Sequence, residues 1–269
     1  MMSLTYNEKK RLTQAILFVL LIGFVIQDAM TGGSQSWQRV FARLPLLLTG
    51  QSGGWPVTGG FLLNVFISIV AMLVASILGT ILALGMLAQT AKLRLPAFFV
   101  MNFLRNSPWI VLLFAMLYLL PFRMNLFGIQ IEFPAAAKAI IGLSLPVAAN
   151  FAEIVRGAVQ SIHAGQWESA RSLGYSTGQI YRRVIFPQAL RRMIPGWMNL
   201  YAMLMIATAL ATVTGTQEVV TLLRTTLSME SPTTLVYFYV TVLLMFLAYC
   251  YPIAWLARRF ETSMKGDAL

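Results

Sequence analysis

The chain has 269 residues, of which 58% are hydrophobic and 11% charged, against about 45–50% and about 25% in an average soluble domain. With a mean hydropathy of +0.73, a soluble globule would expose more apolar surface than water tolerates, so soluble and disordered readings are both excluded. The net charge of +11 does not point to nucleic acid, because the Lys and Arg residues are scattered between apolar runs rather than gathered in one stripe.

A span needs about 20 mostly apolar residues to cross about 30 Å of hydrocarbon. Six stretches qualify, at roughly 12–30, 60–88, 98–121, 135–157, 194–214 and 233–257. They predict an all-α integral membrane bundle of about six transmembrane helices. In the first, Lys9-Lys10-Arg11 and the run Ala15–Ile26 resemble a signal peptide. No A-x-A site follows Gln27-Asp28-Ala29-Met30, which favours a retained helix. The chain divides accordingly into an N-terminal helix and outer loop (1–59), a transmembrane unit (60–257) containing a polar connection (158–193), and a short tail (258–269).

Lys and Arg in the connections set the orientation. With the N-terminus inside, the inner set is Lys9, Lys10, Arg11, Lys92, Arg94, Arg171, Arg182, Arg183, Arg191, Arg192, Arg258, Arg259 and Lys265; the outer set is Arg39, Arg43, Arg123 and Arg224. Both termini are therefore expected to be cytoplasmic. Residues 31–59, 122–134 and 215–232 read as outer loops. Trp55, Trp197 and Trp255 fall near predicted span ends, where interface anchoring is the simplest reading.

Two ladders of small residues, Ala71/Ala75/Gly79/Ala83 and Ala207/Ala211/Gly215, recur every four residues. Such ladders let helix backbones approach closely in lipid. They serve either packing within one subunit or a contact between subunits. Pro108, Pro146 and Pro195 each free a carbonyl and favour kinks.

One cysteine, Cys250, and one histidine, His163, exclude an intrachain disulfide and a four-ligand zinc site. No lysine follows a glycine, so no G-x-x-x-x-G-K-[ST] phosphate loop exists. No catalytic cluster beyond the Glu153/Arg156 pair appears and no metal site is expected, so the reading is of a protein that is not an enzyme.

The segment Glu168-Ser169-Ala170-Arg171-Ser172-Leu173-Gly174, nine further residues, then Val184-Ile185-Phe186-Pro187 reads as a short helix, a glycine break, a second helix carrying Arg182-Arg183, and a proline stop. Gly174 can take the left-handed conformation that ends a helix. Such an element, too polar to span, offers a handle to a partner.

This segment resembles the signature of permease subunits of bacterial ATP-binding-cassette importers: E-A-A, three residues, G, nine residues, I-x-L-P. Ser169, Val184 and Phe186 replace three of its residues, and every spacing is kept. Phe151-Ala152-Glu153-Ile154-Val155-Arg156-Gly157, Gln160-Ser161-Ile162, Gly165-Gln166, Leu104-Arg105-Asn106-Ser107-Pro108 and Pro187-Gln188-Ala189-Leu190-Arg191-Arg192 resemble the polar amino acid subfamily. The likeness covers about residues 60–257. It implies a pore subunit in the bacterial inner membrane, paired with a second permease, the same or homologous. It further implies two cytoplasmic ATP-binding subunits, which carry ATP and Mg, and a periplasmic binding protein that delivers a polar amino acid or a related compound. Glu168, Ser169, Ala170, Gly174 and Pro187 would then couple the spans to the ATPase.

Asn150, Glu153 and Arg156 recur every three residues and share a helix face. Glu153 with Arg156 reads as a structural ion pair or as part of an inner gate. Arg105, inside the third predicted span, either snorkels to the inner surface or faces the pathway. Thr208 and Thr212, four apart, are expected on one face of the fifth span. Together with Asn150 and Glu153 they are candidates for the substrate pathway, or else their hydroxyls bond to carbonyls one turn back. Membrane lipid is the remaining expected contact of the basic residues. One departure from the subfamily is Ile206-Ala207, where those permeases carry a polar pair. The rival class is a self-sufficient secondary transporter or channel; such proteins often show internal repeats, and none is evident.

Overall fold

The computed structural model describes residues 33–52, 58–126 and 129–266. The expected first span, its basic cluster and Trp55 lie outside the described residues.

The stretch read as an outer loop opens instead with α1 (Gly33–Thr49), whose buried side turns Ser36, Val40 and Leu47 inward. Its Trp37 meets Tyr237 edge to face at 5.3 Å, and Arg39 and Arg43 flank Glu230 at 3.7 and 3.8 Å. Buried residues at helical spacing mark it as an amphipathic helix; Pro45 inside it and its length below 20 residues kept it from reading as a span.

Next comes α2 (Gly60–Met86), a span as expected. Its ladder Ala71, Ala75, Gly79 and Ala83 is buried. A Cβ on Gly79 would stand 2.6 Å from the Ala148 carbonyl oxygen, so only glycine lets this backbone approach its neighbour. The ladder therefore packs helices within the subunit, the first of the two readings above.

The expected straight span at 98–121 is two helices, α3 (Ala91–Asn106) and α4 (Trp109–Leu119), bent by 102°. Pro108 denies an N–H to the preceding turn and holds Ser107 extended, with φ −77° and ψ 136°, so the helix cannot continue through it. At the far end of α4, Pro121 leaves the Leu117 carbonyl without its i+4 donor. The fully buried Lys138 supplies the bond, with Nζ 3.1 Å from that oxygen and 3.5 Å from the centroid of the Phe122 ring. A hairpin of β1 (Arg123–Leu126) and β2 (Ile129–Glu132) follows, in antiparallel register Arg123↔Glu132.

The central helix, α5 (Ala135–Gln160), buries Leu143, Val147, Ala148, Ala149, Phe151 and Ala152 against α2 and its neighbours. The polar connection holds α6 (Ala164–Ser172) and α7 (Thr177–Ile180). Beyond it the proline stop expected at Pro187 does not occur. A π turn at Tyr181–Ile185 leads directly into α8 (Phe186–Ala207) and a 3₁₀ stretch, Thr208–Thr214, forming one helical run from Thr177 to Thr214. The π turn widens the ladder just where the Pro187 ring would meet the preceding carbonyl. Since the run turns 3₁₀ after Ala207, the four-residue ladder Ala207/Ala211/Gly215 is not realised on one face. Ala211 is buried while Gly215 is exposed.

The connection at 215–232 contains a further helix, α9 (Val219–Leu227), before α10 (Leu235–Gly266), which passes through the residues assigned to a tail. Among the described residues, four runs are long and apolar enough to cross a membrane, or five if the bent α3–α4 pair counts as one. The protein is an all-α membrane bundle.

Candidate functional site

The polar connection is built as a rigid elbow. His163 starts α6 by accepting the Gly165 N–H on Nδ1 at 3.1 Å while itself staying exposed. At the other end Gly174 has φ +75°, the Gly174 N–H reaches the Arg171 carbonyl at 2.9 Å, and the Tyr175 N–H reaches that of Ala170 at 3.2 Å. This is the Schellman closure that a left-handed residue permits. Ser176 and Gln179 then form a reciprocal capping box at the start of α7.

The elbow is fastened to both neighbouring spans. Trp167 stacks edge to face on Tyr181 at 5.1 Å, and Gln188 donates to Gln166 at 3.2 Å. Arg192 of α8 donates to the Ser161 carbonyl and hydroxyl at 2.6 and 2.9 Å, placing a cation on the C-terminal carbonyls of α5. Within the elbow Ala170 faces the core, whereas Glu168, Ser169, Gly174 and Pro187 are exposed. Leu173, beside Gly174, is 74% exposed. The arrangement presents a structured polar surface on a rigid mount.

A second group adds Arg105, which the sequence had read separately, to the pair of Glu153 and Arg156. Arg156 grips the Glu153 carboxylate with Nε and Nη2 and reaches Gln160 with Nη1. Arg105, in the last turn of α3 beside the bend, brings Nη1 to 4.0 Å from the same carboxylate. Two guanidiniums on one carboxylate leave one positive charge in excess on a partly exposed face. Asn150, one turn earlier, donates to the Pro146 carbonyl at 2.8 Å and is half-buried.

Thr208 and Thr212 do not share a face. They lie in the 3₁₀ stretch, whose three-residue repeat turns positions four apart away from one another. Thr208 is fully buried and donates to the Met205 carbonyl at 2.6 Å, which matches the second reading offered for it. Its oxygen also accepts from Asn64 Nδ2 at 3.0 Å. Asn64 and Glu218, both fully buried, escaped the sequence reading. The Asn64 amide donates to Glu218 Oε2 at 3.2 Å and accepts the Val219 N–H at 3.0 Å. Glu218 caps α9 by accepting the N–H groups of Val220 and Thr221 at 2.8 and 2.7 Å. The Thr221 hydroxyl lies 3.0 Å from Glu218 Oε1 and 2.9 Å from the Thr212 hydroxyl. Burial raises the Glu218 carboxyl above its ordinary pKa, against the pull of the Val220, Asn64 and Thr221 donors. The signal that could have found Glu218 was a carboxylate just before an amphipathic nine-residue stretch, an N-cap pattern.

Known proteins resemble this chain over more than half of its length. A family described as "Binding-protein-dependent transport system inner membrane component" matches residues 75–266. The probable amino-acid permease protein YxeN of Bacillus subtilis (strain 168) is 37% identical over 188 residues, 68% of this chain and 75% of that protein. The probable amino-acid ABC transporter permease protein YckA of the same organism is 38% identical over 148 residues, 55% of this chain and 63% of the length of that relative. Among solved structures, a chain from the crystal structure of an amino acid ABC transporter with histidines superposes with a TM-score of 0.62. It is 23% identical and covers 74% of this chain and 91% of its own, which speaks for the fold.

Proposed function

The chain belongs to the family of binding-protein-dependent transport system inner membrane components, and we propose that it is the pore subunit of an ATP-driven importer for a polar amino acid or an amino-acid-like compound. The observation that carries this reading is the elbow at 164–187. Its motif spacing and its rigid attachment to α5 and α8 suit a docking surface for a cytoplasmic ATPase. ATP and Mg are held by that partner, of which there are two copies. A second permease, the same chain or a homologue, completes the pore, and a periplasmic binding protein supplies the solute. Glu168, Ser169, Ala170, Gly174 and Pro187 form the docking elbow. The end of the bundle that bears it is cytoplasmic, as are both termini.

The solute route runs along the face bearing Asn150, Glu153, Arg105 and Arg156. A zwitterion leaving water needs partners of both signs, because an unpaired charge in a low-dielectric site is costly. This cluster offers a carboxylate with an excess of guanidinium. Thr208 and Thr212, whose hydroxyls are engaged with Asn64, Met205 and Thr221, join the network around Glu218 instead. Affinity purification of the tagged chain tests the assignment. An ATPase should be recovered with it, and the reconstituted complex should take up labelled amino acids only with ATP and binding protein. Uptake by the purified chain alone, without ATP, overturns the reading.

A further inference from the structure

The two polar assemblies described above stand at opposite ends of one rod. The helical run from Thr177 to Thr214 begins inside the elbow and ends against Asn64 and Glu218. At about 1.5 Å per residue it extends on the order of 55 Å. At its far end the Thr208 hydroxyl meets Asn64 of α2, and Asn64 meets both the carboxylate and the first backbone N–H of α9. The backbone repeats the tie, since the Gly60 N–H bonds the Gln217 carbonyl at 2.9 Å. Asn64, Thr208 and Glu218 are fully buried, so water cannot replace a partner that moves away. A buried donor left without an acceptor is costly, so the ends of α2, α8 and α9 move as one body or the network breaks.

Resting on the importer reading, we propose that Thr208, Asn64 and Glu218 are positioning residues. They transmit displacement of the elbow, carried along the run to Thr214, to α9 at the opposite end of the pore. Beyond the far end of α9, Glu230 lies between Arg39 and Arg43 of α1, and α1 in turn packs closely on Gly60 at the start of α2. The helix is therefore tied at its start to the moving rod and beyond its end to α1. A shift of the rod then acts on α9 first at its start, through Asn64 and Glu218.

The test uses the reconstituted complex with its ATPase and binding protein, reading uptake per ATP hydrolysed. Glu218→Gln replaces an acceptor with a donor facing the Asn64 amide, and Asn64→Asp sets two carboxylates against each other. Each should lower uptake per ATP about tenfold, the factor expected for one lost hydrogen bond to a charged group. The double variant Asn64→Asp/Glu218→Gln rebuilds the amide–carboxylate bond between the two positions, though not the bond to Thr208 or the full cap of α9, and should recover part of that loss. Thr208→Val removes only the hydroxyl. It should lower uptake per ATP without changing the substrate concentration at half-maximal uptake, and Thr208→Ser should restore coupling. If a Glu218 variant fails to assemble, the Thr208 pair carries the test. Unchanged uptake per ATP in Thr208→Val, or no recovery in an assembled double variant, overturns the proposal. Absence of ATP-driven uptake in the unsubstituted complex overturns the importer reading instead.

Discussion

The elbow at 164–187 and the knot around Glu218 are both polar, and they are built on opposite terms. In the elbow Glu168, Ser169 and Pro187 face outward while Ala170 is buried, and the backbone is ordered by local devices: a histidine cap, a left-handed glycine and a capping box. In the knot the polar groups come from residues 64, 208 and 218 and satisfy one another without solvent. The elbow can change its surface chemistry at little cost to folding, because water stands ready to solvate whatever is placed there. The knot cannot, because its buried donors find their acceptors within it and water cannot take the place of a lost one. The comparison teaches that polarity in a membrane bundle divides into surfaces offered to a partner and joints that hold helices to one another.

The comparison breaks first, if at all, at the joint. Glu218→Leu strips acceptors from the Val220 and Thr221 N–H groups and from Asn64, each worth about 1–3 kcal/mol when buried and unpaired. The thermal midpoint and yield of the purified complex should both fall sharply; an unchanged midpoint would mean that the knot holds nothing. A smaller effect is expected for Gly174→Val. No atom lies within 4 Å of an added Cβ there, so the cost is the left-handed backbone alone, about 1–3 kcal/mol. The complex should assemble while its ATP hydrolysis loses stimulation by loaded binding protein. Least of all in stability, Glu168→Lys on the exposed face should stay within about 0.5 kcal/mol of the parent and still depress stimulated hydrolysis. A parent-like rate would remove Glu168 from the docking surface.

The same division explains what could be read from the sequence. The elbow is contiguous, so its motif spacing and the conformation of Gly174 were legible from about twenty residues. Spans such as α2 and α5 were legible because an apolar run of that length has few alternatives in water or lipid. Pro108 was read as a kink and proved a 102° break; Pro187 was read as a stop and proved permissible behind a π turn. The sign of a proline's effect depends on the ladder around it, which residue type does not reveal. Thr208 and Thr212 were placed on one face by an α-helical spacing that the 3₁₀ stretch does not keep. Asn64 lay inside an apolar run with nothing nearby in sequence to pair with. Its partners are 144 and 154 residues away, and no periodicity connects them. The meeting of Arg105 with Glu153 was hidden for the same reason, since it depends on how the bend presents the end of α3 to α5.

Lys138 carries a consequence for how the protein is made. A lysine in the first turn of α5, a helix destined for lipid, is a poor substrate for insertion by itself. Its acceptor is the Leu117 carbonyl, and its ring partner is Phe122. Both precede it in the chain, so they leave the ribosome first. Synthesis therefore delivers the acceptor before the charge, and α5 can enter the membrane by docking on a finished α4 and hairpin rather than as a lone segment.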